Sequence, residues 1–131
     1  MDLLIDVHSG EMDTLIPNLW MASMLKAQGV DVAVFLEWRA LVAFTDNEFT
    51  FSSPLAKYAG AVEQNAKQME LPLDPLTLLR RVSAAGIPIY ACGVEADLCG
   101  IAAKVPPEIQ PLKMEELNRP ILDAKKIIGG M

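Results

Sequence analysis

Histidine and cysteine are nearly absent from this sequence of 131 residues: His8 stands alone, and Cys92 and Cys99 are the only thiols. Two cysteines cannot make a disulfide framework, and one histidine with two separated thiols lacks the paired spacing of a metal site. No metal and no cofactor is expected. Basic residues are also scarce, 11 against 17 acidic, for a net charge of -6. The pairs Arg80-Arg81 and Lys125-Lys126 do not make a stripe that could follow a phosphate backbone, which argues against nucleic-acid binding. Long apolar runs are missing as well. Val32 to Leu36 and Ala40 to Phe44 fall far short of the ~18 residues of a membrane span. No basic segment precedes an apolar stretch near the start, where Asp2 and Asp6 stand instead. The expectation is therefore no signal peptide and a cytoplasmic protein whose cysteines stay as thiols.

Apolar side chains, by contrast, are plentiful: 52% of the residues are hydrophobic and mean hydropathy is +0.28, enough to bury a core and exclude disorder. The length suits one domain, residues 1–131. Leu3 to His8 is a short apolar run of strand type, and Ser9-Gly10 turns the chain. Leu15, Ile16, Leu19, Trp20, Ala22 and Met24 then follow a helical period that ends at Gly29. Pro17 is tolerable there if Asp13 or Thr14 caps the helix and Pro17 falls in its first turn. Val30 to Glu37 predicts a second strand. Trp38 to Phe51 is mixed, and Ser53-Pro54 to Met69 is helical in pattern. Asp74-Pro75 opens the clearest helix, closed by Gly86. Ile87 to Ala91 is a third strand, Gly93 to Ala103 a helix, and Ile109 to Leu112 a short strand. Met114 to Asp123 gives one more short helix, and Lys125 to Ile128 a last strand. Continuous apolar strands alternating with helices predict a parallel sheet of four to six strands covered on both faces.

In such sheets chemistry collects at the carboxyl ends of the strands. The residues to inspect are His8, Ser9 and Gly10 after the first strand, Glu37 and Trp38 after the second, and Cys92 and Gly93 after the third. Cys92 leaves a strand and enters a helix, where free N–H groups and the helix dipole favour the thiolate; Glu95 opposes them. The other reading of Cys92 is a small buried residue. Gly93 lets a ligand or partner approach the backbone. Cys99, two helical turns on, is too far for a disulfide and is expected to be packed in the helix. His8 serves Cys92 as a proton partner if the first and third strands are neighbours; otherwise it is a hydrogen-bonded structural histidine. Trp38 lines the cysteine pocket or an interface.

The segment Ile89-Tyr90-Ala91-Cys92-Gly93-Val94-Glu95-Ala96-Asp97-Leu98-Cys99-Gly100-Ile101 resembles the DsrE/DsrF-like sulfur-relay superfamily. There a strand ends in cysteine, and a glycine followed by an aliphatic residue comes eight positions later. Gly86-Ile87-Pro88-Ile89 matches the approach to that strand, and Gly29 to Leu36 resembles the second strand. Trp38 falls where some members carry an aromatic cluster. The resemblance implies a three-layer α/β/α domain with a mostly parallel sheet of about five strands. It implies a sulfur carrier or sulfurtransferase-like protein with Cys92 holding the persulfide, and Gly93 and Trp38 beside it. It also implies a homo-oligomer and a sulfur-donor or sulfur-acceptor protein as partner. It carries no role onto Cys99. Two rival functions use the same residues differently: a thiol-redox protein of peroxiredoxin-like or redox-sensing type, and a non-catalytic ligand-binding α/β domain.

Overall fold

Five short strands, all parallel, make the centre of the computed structural model, which describes residues 1–129. Residues 130 and 131, the end of the expected domain, lie outside the described residues. The order of elements is β1 (Leu3–Val7), α1 (Met12–Ala27), β2 (Val32–Leu36), α2 (Trp38–Asp46), α3 (Ser53–Ala56), α4 (Ala59–Gln68) and α5 (Pro75–Ala84). There follow β3 (Ile89–Cys92), α6 (Gly93–Leu98), β4 (Gln110–Leu112), α7 (Arg119–Asp123) and β5 (Lys126–Ile128). Single 3₁₀ turns at Ala102–Lys104 and Met114–Glu116 flank β4. Helices lie on both sides of the sheet, the α/β class expected from the alternation of elements.

The sheet order is β4-β3-β2-β1-β5. Strands one to four are laid down in one direction, and β5 returns to the far side of β1. Right-handed crossovers put the first set of connections on one face and the returning one on the other. The cores follow that division. Leu3, Ile5 and Val7, with Val32, Val34, Leu36, Ile89 and Ala91, pack against Leu15, Leu19, Leu41, Phe44, Leu79 and Val82 from α1, α2 and α5. The opposite face carries a smaller cluster of Leu4, Ala33, Phe35, Cys92 and Leu112, roofed by Leu117 and Ala124 on either side of α7. We refer to these as the thick and thin faces.

Helix ends account for most departures from the sequence expectation. In α1 the cap is Glu11, with no side-chain capping bond, and Pro17 lies inside the helix rather than in its first turn. Asp13 is used elsewhere: it accepts from the Ser52 backbone N–H at 2.8 Å and from Ser52 Oγ at 2.6 Å. Asp74 caps α5 as expected, accepting from Thr77 N–H. The helix expected from Gly93 to Ala103 stops at Leu98. Gly100 has φ +69°, its N–H bonds Asp97 O, and the Ile101 N–H bonds Ala96 O. This paired closure requires a left-handed residue just past the helix, which glycine supplies without a Cβ clash. The glycine eight positions after Cys92 therefore fixes the length of α6. The short helix expected over 114–123 is likewise two pieces, a 3₁₀ turn and α7, with Pro120 at the start of the second. Among the described residues, no helix is long and apolar enough to cross a membrane.

Candidate functional site

Side chains alternate between faces along a strand, so residues of one parity at the carboxyl ends share a side. On the thin face, Leu4 is followed by Asp6 and His8, Phe35 by Glu37, and Tyr90 by Cys92. The parallel register sets Asp6 beside Phe35 and Val7 beside Leu36, so the titratable residues arrive at one edge together. His8 Nε2 lies 2.7 Å from Glu37 Oε2 and 3.2 Å from Asp6 Oδ2. Burial pushes the Glu37 carboxyl up to about 8; a hydrogen bond to Asp6 and the charges of Asp6 and Glu95 act in the same direction. At neutral pH Glu37 is thus a carboxylic acid leaning on the Asp6 carboxylate.

One strand over, Cys92 ends β3 and caps α6. The Glu95 N–H donates to its Sγ at 3.5 Å. Glu95 itself is only 6% exposed, and its Oε1 accepts the Trp38 N–H at 2.8 Å. That contact ties the start of α2 to α6 and holds Trp38 at φ +37°. A left-handed bulky residue costs roughly 1–2 kcal/mol, which the buried charge-assisted bond offsets. The Trp38 ring remains about half exposed and lines a crevice of about 400 Å³ with Gly10, Glu11, Arg39 and Glu48. A second crevice, of about 370 Å³, runs past Gly93, Val94 and Leu112. Neither is lined by Cys92.

Cys92 takes the buried alternative its position left open, and Cys99 departs from its expectation. Cys92 is buried, 8% exposed, in the thin-face cluster, while Cys99, expected to be packed, is the exposed C-cap of α6. Both are free thiols. Burial pushes the Cys92 thiol up, and the Glu95 carboxylate adds to this; the Glu95 and Val94 N–H groups pull the other way. The two amides of a six-residue helix do not overcome desolvation, so the expected thiolate gives way to a thiol.

His8 is not beside Cys92. The first and third strands are separated by β2, about 10 Å at the usual strand spacing, and the His8 ring faces Glu37 and Asp6. Gly93 does permit a close backbone approach, but the approaching group is the chain's own Leu112 carbonyl, where a Cβ would collide. Glu37 stood among the strand-end residues marked by the sequence; Asp6 did not. Its signal was the period-two pair Asp6 and His8, both pointing to one side of a strand otherwise apolar.

No protein-family model matches the sequence, and no curated protein matches it. Among solved structures, the crystal structure of the YchN protein from E. coli superimposes with a TM-score of 0.68. The two chains share a fold. The alignment covers 98% of this chain and 97% of YchN at 17% identity. At that identity the likeness concerns the path of the backbone and leaves the site to be argued from its own residues.

Proposed function

We propose that this protein is a cytoplasmic sulfur carrier, of the kind the DsrE/DsrF-like resemblance implies, with Cys92 as the acceptor. The observation that carries this reading is Cys92 at the head of α6, its Sγ accepting the Glu95 N–H, with the buried Glu95 carboxylate fixed near it by the Trp38 N–H. A thiol with a raised pKa is a poor resident thiolate but a strong nucleophile once its proton leaves. Glu95 takes that proton as Sγ attacks the terminal sulfur of a donor persulfide. The new bond joins Sγ to that sulfur; the bond between the donor's two sulfurs breaks, and the departing donor thiolate receives the proton. There is no net oxidation. The acceptor protein then reverses the sequence. His8, which faces Asp6 and Glu37, takes no part in the step, while Gly93 keeps β4 close and Trp38 marks the partner-facing rim. Exposed Leu98, Ile121 and Leu122 suit contacts between copies of the chain.

The test is intact mass after incubation with a low-molecular-weight persulfide. The expected result is a gain of one sulfur atom that is lost in Cys92→Ser, kept in Cys99→Ser and slowed in Glu95→Gln. A gain carried by Cys99 alone, or none at all, overturns the reading. The burial of Cys92 favours a second reading, a ligand-binding domain without thiol chemistry; a chain that gains no sulfur and no peroxide-dependent sulfenate at Cys92 would support it.

A further inference from the structure

The cluster of Asp6, His8 and Glu37 is not used by the thiol step, and its geometry is that of a ligand set. One imidazole nitrogen and two carboxylate oxygens, from the ends of two adjacent strands, all lie within 4.8 Å of one another. An ion held at about 2.0–2.2 Å by each of three ligands needs them roughly 3–3.5 Å apart. The 3.2 Å pair of His8 and Asp6 already meets that spacing, and the 2.7 Å pair of His8 and Glu37 must open by a few tenths of an ångström. Side-chain rotation supplies that without moving the sheet.

A second observation points the same way. Asp6 Oδ1 is out of contact with solvent and has no hydrogen-bond partner. Gly129, just past β5, stands against the same side chain: a Cβ there would lie 3.0 Å from Asp6 Cβ and 3.4 Å from Asp6 Oδ2. Leaving an acceptor stranded in this way is costly, and a positive charge between the carboxylates relieves it. A shared proton is one such charge. A divalent cation is the other, and it takes as its third ligand the imidazole nitrogen that here lies against both carboxylates. The three side chains are 23%, 40% and 25% exposed, so the seat opens to solvent on the His8 side and leaves room for water as a further ligand.

We propose that Asp6, His8 and Glu37 form a binding site for one divalent ion of the zinc class. The imidazole selects against magnesium and calcium, which prefer all-oxygen shells, and the absence of a thiolate selects against copper(I). The site stands on the residues of β1 and β2 and does not depend on sulfur chemistry at Cys92.

Calorimetric titration of the chelator-treated full chain with zinc, and absorption titration with cobalt, test it. The expected result is one ion per chain and a cobalt spectrum free of a thiolate charge-transfer band. His8→Ala and Asp6→Asn should weaken binding roughly tenfold or more, with Cys92→Ser binding as the parent does. Zinc should raise the melting temperature of the parent and of Cys92→Ser but not of His8→Ala, with far-ultraviolet circular dichroism confirming that each variant is folded. Three results would overturn the site: no saturable binding, binding lost in Cys92→Ser, or binding retained in His8→Ala. Persulfide loading, measured separately by mass, leaves the outcome for the ion independent of the outcome for sulfur.

Discussion

The thick and thin faces of the sheet share the same five strands and differ in almost everything else. On the thick face α1, α2 and α5 press Leu15, Leu19, Phe44, Leu79 and Val82 onto alternate strand residues, and the buried cluster is large and apolar, with Asn18 of α1 a buried polar residue beside it. On the thin face the returning connection supplies a short roof around α7, and the buried cluster is five residues. Beyond that roof the same strand parity delivers Asp6, His8 and Glu37. The difference follows from the order of connections: three crossovers cover one side and one covers the other. Stability is concentrated where the cover is deep. Ionisable groups are tolerated where the cover ends, because there they keep partial hydration and one another as partners.

The contrast makes measurable claims. The largest effect belongs to the thick face. Leu79→Ala empties a fully buried position between α1, α5 and the sheet, and should cost about 2–5 kcal/mol in urea denaturation. A loss below about 1 kcal/mol would mean that the thick face does not dominate stability. Next comes the seam between β3 and β4. Gly93→Ala sets a methyl group against the Leu112 carbonyl, a backbone group that cannot swing aside. It should cost about 1–3 kcal/mol in the same assay. A neutral result would mean that β4 is free to shift.

The smallest effect in stability is the clearest in chemistry. In the folded chain Cys99 should be alkylated at least about tenfold faster than Cys92 near neutral pH, because one thiol is exposed and the other buried. Raising the pH should narrow the gap. The native Cys92 thiol is shifted up, so its thiolate fraction is still climbing where an ordinary thiol has levelled off. Peptide mapping after timed alkylation across a pH series reads both. Equal rates at neutral pH would erase the distinction between the buried and exposed thiols.

Much of the fold was legible because β1, β2 and β3 are predominantly apolar runs and two helix stops are glycines. The strand order was not. Nothing in Leu3 to Val7 says that its neighbours are β2 and β5 rather than β3, and whether His8 meets Cys92 or serves as a structural histidine depended on that order. The address of Cys92 could be read, at a strand end before a helix. Its burial could not, since which face β3 turns toward the roof depends on how α7 returns. Cys99 was misplaced for a local reason: Gly100 ends α6 early, so a residue expected inside a helix stands at its exposed tip. Glu37 and His8 were visible as strand-end residues, but their convergence with Asp6 needed the register of β1 against β2.

The pairing of β5 with β1 also bears on how the molecule is made. As the chain emerges during synthesis, β2, β3 and β4 can each add to a neighbour already present, a growth in which every new contact is comparatively local. β5 breaks that sequence, because its partner is the first strand of the sheet, joined by the Lys126 N–H to the Asp2 carbonyl across nearly the whole chain. Closing so long a loop raises the entropy cost only slowly with length, but it comes last and slows the final step. Until then β1 has an open edge to which a strand of another chain can pair. Asp2 and Asp6 flank that edge, charges of the kind that discourage such pairing, so these two acidic residues also act as gatekeepers before the sheet is complete.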